Sequence, residues 1–115
     1  RLLPVVHCIK GTKGWELYGE TAAACAEVKA PAIDKLVFGM DISDPAVAAV
    51  LPEHADEIEL VGLVSNICVV SNALIIKATF PDAQVKVDSA CCAGVTPESH
   101  QAALKTMQMC QVEVV

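Results

Sequence analysis

Glu59-Leu60-Val61-Gly62-Leu63-Val64-Ser65-Asn66-Ile67-Cys68-Val69-Val70-Ser71-Asn72-Ala73-Leu74 is the stretch whose reading decides the fold. The apolar run from Ile58 to Leu63 reads as a buried strand. Val64-Ser65-Asn66 reads as a turn, and Cys68 to Ala78 as a helix packed on both sides. Cys68 therefore falls where a strand hands over to a helix. Free backbone N–H groups and the positive end of the helix dipole converge at such a place. Both favour thiolate over thiol, and the thiolate is the nucleophile. The carboxyl end of a strand is also where open α/β sheets keep their active sites. A second reading stays open, because free cysteine is among the most buried residue types and often only fills a core.

Outward from that stretch, apolar and polar segments alternate in a regular order. Leu2 to Ile9 is an extended apolar run, and Gly11-Thr12-Lys13-Gly14 a turn that lacks the Lys-Ser/Thr ending of a phosphate loop. Trp15 to Lys29 is Ala- and Glu-rich and reads as a helix stopped by Pro31. Ile33 to Phe38 reads as a strand. Asp44 is an N-cap with Pro45 in the first turn of a helix running to Leu51. Gln84 to Asp88 alternates like a strand, and Ala90 to Val95 reads as a loop. Thr96 caps a last helix running to Cys110, with Ser99 falling short of a capping box. Val112 to Val115 is a final strand. Strands alternating with helices imply parallel βαβ units, hence an α/β fold in one domain spanning 1–115.

Composition narrows the function. At 115 residues with 54% hydrophobic content, the chain suits one core and is not disordered. A net charge of −6 argues against nucleic acid and anionic membrane as partners. One Trp, one Tyr and two Phe leave little for base stacking. No apolar run reaches the roughly 18 residues needed to span a bilayer. The opening Arg1-Leu2-Leu3-Pro4 does not read as a signal peptide. The six cysteines form no Cys-x-x-Cys pair and read as reduced thiols, which places the chain in the cytoplasm. Cys91-Cys92 reads as small packing residues in a tight turn, with a redox switch as the alternative.

Two other side chains carry chemistry. His7 reads as a metal ligand, or as a histidine bonded to backbone, since one histidine does not make a metal site. Lys35 reads as a proton donor drawn into a pocket, or as a solvated lysine at a strand entrance. His54 and His100 lie on polar faces and read as surface residues. Asp56, Glu57 and Glu59 read as a solvated acidic patch.

These residues resemble a known family. Gly62-Leu63-Val64-Ser65-Asn66-Ile67-Cys68-Val69 is similar to the Gly-x-x-Thr/Ser-Asp/Asn-x-Cys-Val nucleophile motif of the isochorismatase-like cysteine hydrolases, whose best known members are nicotinamidases. Pro4-Val5-Val6-His7-Cys8-Ile9-Lys10-Gly11-Thr12-Lys13-Gly14-Trp15-Glu16-Leu17 resembles the same family's Pro-x-x-His-Cys-x-x-Gly-Thr-x-Gly-x-Glu-Leu segment. Asp88-Ser89, Gly94-Val95-Thr96 and the helix with His100 and Ala102-Ala103-Leu104 fit as well.

The resemblance implies a three-layer α-β-α fold with a mainly parallel sheet, Rossmann-like. It implies hydrolysis of a small amide such as nicotinamide, with Cys68 as nucleophile, a thioester intermediate and release of ammonia. Backbone N–H groups of Val64 and Cys68 would form the oxyanion hole. A cis peptide would join Leu63 and Val64. Lys35 would be the catalytic lysine. His7 would be one ligand of a divalent metal, with zinc the candidate. A homo-oligomer is the expected assembly. The family's triad also holds an Asp, in an Asp-x-Gln-Asn-Asp-Phe-like motif on its first strand, and nothing in this chain matches it. The chain thus resembles the C-terminal two-thirds of a roughly 170–190-residue domain, with the N-terminal strands missing. The alternative is a catalytically incomplete domain serving as an oligomeric or binding scaffold.

Overall fold

The computed structural model describes residues 6–115, which divide into two compact units, one within residues 1–32 and one over residues 33–115. Part of the extended run expected over Leu2 to Ile9 lies outside the described residues, and residues 6–9 carry no regular structure.

The first unit is built on turns and one helix. Thr12 N donates to Ile9 O at 3.0 Å, and Trp15 N donates to Thr12 O at 3.0 Å. The Lys10 ammonium lies 5.7 Å from the Trp15 ring centre, within cation–π range. Helix α1 spans Gly19–Glu27, shorter at both ends than the expected Trp15 to Lys29. These turns occupy its expected first residues. At the other end Lys29 adopts a positive φ of 53°, and Ala30 N closes back on Cys25 O, so the helix stops before Pro31 acts.

The second unit is α/β. It contains α2 (Pro45–Ala48), β1 (Glu57–Leu63), a π-helical turn (Ser65–Val69), α3 (Val70–Thr79), β2 (Gln84–Ala93), α4 (Pro97–Met109) and β3 (Glu113–Val114). The strands form a parallel sheet in the order β1-β2-β3. Val85 and Val87 alternate on one face and are buried against α3 and α4. Val69, Ala73, Ile76 and Phe80 recur at helical spacing from the π turn through α3 to its C-cap, and Ala103, Leu104 and Met107 do so on α4. Together with Ala83 and Val112 they form one apolar core.

Several expectations are corrected. Residues 33–38 form no strand: Leu36 and Val37 are exposed, and the backbone of the following residues bonds to a side chain on α3 instead of a ladder. α2 stops at Ala48, three residues before Leu51, although Asp44 caps it by accepting from Ala46 N at 2.8 Å. α3 buries one stripe completely, not both sides. β2 does not end at Asp88. The register passes from Leu60↔Val87 to Gly62↔Cys92, so residues 88–91 bulge and the strand then rejoins β1. Asp88 Oδ1 satisfies the bulge by accepting from the backbone N–H of Ala90 at 2.9 Å and Cys91 at 3.3 Å. Cys91 and Cys92 therefore lie in a strand, not in a tight turn. At α4 the capping box is complete. Ser99 N donates to Thr96 Oγ1 at 3.2 Å and Thr96 N to Ser99 Oγ at 3.0 Å, so a serine reaches where a longer Glu or Gln was expected.

Candidate active site

Cys68 sits in the π-helical turn between β1 and α3, and is half-buried. The wider turn places five residues between Val64 and the first residue of α3. Its signature bond runs from Val69 N to Val64 O at 3.1 Å. Single π turns of this kind collect at functional sites. The Leu63–Val64 peptide bond at its entry is cis, and Gly62 before it has a φ of 120°, open to glycine alone without strain.

Lys35, on the irregular segment 33–38, reaches this turn. Its Nζ donates to Cys68 Sγ at 3.6 Å and to Val37 O at 3.0 Å. A cation and a thiol separated by 33 positions in sequence are thus brought together.

The turn is held from two further directions that sequence reading missed. Ser65 is fully buried, and a hydrogen bond of 2.7 Å joins its Oγ to His100 Nδ1. His100, expected on a polar surface, is half-buried in the first turns of α4. Gly94 permits this approach: a Cβ there would lie 2.9 Å from the backbone N of His100. Asn66 Oδ1 accepts from Val95 N at 2.9 Å, fixing the same turn to the β2–α4 connection. Ser71 Oγ donates to Ile67 O at 2.6 Å. Only the motif spacing of Ser65 and Asn66 before Cys68 signalled these roles, and nothing marked His100 as the partner of Ser65.

His7 is exposed and belongs to the first unit. Among the described residues no three His, Cys, Asp or Glu side chains converge to hold a metal ion. One histidine does not fill a coordination sphere, so no chemical step is routed through a metal. The acidic patch is partly paired: Lys86 Nζ donates to Glu57 Oε2 at 2.6 Å, which raises the lysine's proton affinity.

Cys91 and Cys92 are free thiols at neighbouring strand positions, the first exposed and the second half-buried. Hydrogen bonding to the Asp88 carboxylate pushes the Cys91 thiol up, and burial pushes Cys92 up. A raised thiol loses its proton only at higher pH, so less thiolate is present at neutral pH. Cys91 is therefore expected to alkylate more slowly than Cys8 and Cys110, which are also exposed, despite its accessibility. Asp88→Asn should speed Cys91 severalfold near neutral pH, as read by mass spectrometry of the alkylated peptides. An unchanged rate would contradict the carboxylate's role.

The isochorismatase domain model matches residues 1–115. The chain belongs to the isochorismatase family. Among solved structures, the chain is similar to the nicotinamidase/pyrazinamidase of Bacillus subtilis, with TM-score 0.81, 24% identity, and coverage of 98% of this chain and 63% of that one. It is similar to the pyrazinamidase/nicotinamidase of Streptococcus mutans at TM-score 0.77 and 25% identity, covering 98% and 64%. The pyrazinamidase of Pyrococcus horikoshii in complex with zinc gives TM-score 0.63 and 21% identity, covering 96% and 61%. The chain thus spans less than two thirds of the length of these three structures. No curated protein matches it. These likenesses establish the isochorismatase-like α/β fold, with an N-terminal part of the solved chains that has no counterpart here. Among the described residues no helix is long and apolar enough to cross a membrane.

Proposed function

We propose that this chain carries the cysteine–lysine site of a hydrolase that cleaves a small amide, of the nicotinamide class, through a thioester on Cys68. Residues 1–115 are read as about the C-terminal two-thirds of one such domain. The single observation supporting the reading is the 3.6 Å approach of Lys35 Nζ to Cys68 Sγ at the mouth of the π turn. In this reading the Cys68 thiolate adds to the amide carbonyl, and the negative charge passes to the carbonyl oxygen. The N–H groups of Val64 and Cys68 receive that oxyanion. Collapse breaks the C–N bond, the Lys35 ammonium supplies the proton that ammonia carries away, and an acyl thioester remains. Water then cleaves the thioester and regenerates the thiol. The zinc-bound relative keeps a metal in view, with His7 as one proposed ligand, but the reading does not depend on it.

Trapping tests it. Incubation with nicotinamide and rapid acid quench should leave a nicotinoyl adduct on the Cys68 peptide. In Lys35→Ala that adduct should form about tenfold more slowly, the scale of one charge-assisted hydrogen bond. An adduct on another cysteine, or none at all, would sink the proposal. The second reading is a catalytically incomplete domain that assembles with its own copies. It is favoured by β1, which lies at the edge of the sheet with Val61 and Leu63 exposed. That reading expects self-association in sedimentation experiments and no turnover.

A further inference from the structure

We propose that Asn72 is a positioning residue whose carboxamide fastens the segment carrying Lys35 to the helix that follows Cys68. The proposal rests on the Cys68–Lys35 reading above and deepens it. Residues 33–38 form no strand, so no sheet ladder sets the position of Lys35. Something else must hold that segment opposite the thiol.

One side chain does so. Asn72 Oδ1 accepts from Met40 N at 2.7 Å. Its Nδ2 donates to Phe38 O at 3.2 Å and to Cys68 O at 2.7 Å. A single amide therefore grips the backbone on both sides of Gly39 and the carbonyl of Cys68 itself. Only a group with donors and an acceptor can do this. Aspartate would set a charged oxygen against two carbonyl oxygens. Alanine would leave the Met40 N–H and two carbonyls to water.

Gly39 carries an independent sign of the same contact. A Cβ there would lie 2.5 Å from Ile75 Cδ1 and 3.6 Å from Ser71 Cβ, so the segment lies flat on α3. From the clamped Phe38 the path to the ammonium is short: Val37 O accepts from Lys35 Nζ at 3.0 Å, and the same Nζ faces Cys68 Sγ. Asn72 acts through Lys35 and does not touch the sulfur in this arrangement.

The test is the rate of alkylation of each cysteine by iodoacetamide near neutral pH, read peptide by peptide on the full chain. In the parent chain Cys68 should be the fastest thiol, and Lys35→Ala should slow it about tenfold. Asn72→Ala should slow Cys68 by most of that factor. The double substitution should be no slower than Lys35→Ala alone, because the two residues act in series. The half-buried Cys92 reports the fold and should stay as slow as in the parent chain in every variant. If Lys35→Ala leaves Cys68 unchanged, the cysteine–lysine reading fails. If Lys35→Ala slows Cys68 while Asn72→Ala does not, or the double substitution is additive, only the Asn72 proposal fails. If Cys92 becomes fast in Asn72→Ala, the clamp belongs to the fold and the positioning proposal is overturned.

Discussion

Cys68→Ala is expected to stop ammonia release from nicotinamide, a loss of roughly 10⁴-fold or more, as removal of a covalent nucleophile produces. The proposed reaction has no detour around the sulfur. The carbonyl carbon must bond to it before the C–N bond can break, and alanine offers no atom for that bond. Neighbouring groups do not replace it. Ser65 Oγ is fully buried and already bonded to His100, and Ser71 Oγ donates to Ile67 O. Cys68→Ser keeps the shape but substitutes a hydroxyl that ionises far less readily, so it should also lose nearly all turnover. Cys110→Ala is the control, because Cys110 is an exposed residue at the C-cap of α4. The measurement is coupled ammonia detection over matched protein concentrations. Hydrolysis that persists in Cys68→Ala would remove the thioester mechanism. A parent chain with no turnover and an unremarkable Cys68 would leave the scaffold reading standing.

Much of the fold was legible because local signals agreed with tertiary ones. The apolar run Ile58 to Leu63 became β1, half-exposed and not the buried strand expected, and the Thr96-Pro97 cap opened α4 where expected. The segments that misled share a cause, which is that their structure is decided by distant partners. Residues 33–38 look like a strand, but a strand needs a ladder, and the neighbouring backbone found Asn72 instead. The bulge at 88–91 depends on Asp88 turning back onto its own backbone, which pattern counting does not detect. Cys68 could be placed at a strand–helix junction from sequence, Lys35 could be singled out as a candidate proton donor, and its catalytic role came from family resemblance. Their approach to each other could not be read, because it depends on a 33-residue separation closed by tertiary contacts. His100 was read as a surface residue because it lies on a polar face. Its partner Ser65 lies 35 positions away.

Met107→Ala should destabilise the unit over residues 33–115 by about 2–5 kcal/mol, the range for deleting a large buried side chain and leaving a cavity. Met107 is completely buried and is the largest of the fully buried side chains. It projects from α4 into the core built with Val85, Val87 and Val112. Those valines are stiff at χ1 and cannot swing in to fill the space. Domain stabilities are only about 5–15 kcal/mol, so this one change removes a large share. The consequence reaches the candidate site, because α4 also carries His100, and His100 holds Ser65 at the head of the Cys68 turn. Met109 provides the comparison: the same side chain two residues later is 79% exposed. Met109→Ala should move the urea midpoint little, whereas Met107→Ala should lower it sharply with the slope unchanged. Cys68 alkylation in Met107→Ala should approach that of the other thiols at urea concentrations the parent chain withstands. Equal midpoints for the two substitutions would mean that α4 does not pack its Met107 face on the sheet, and the link from core to nucleophile turn would be lost with it.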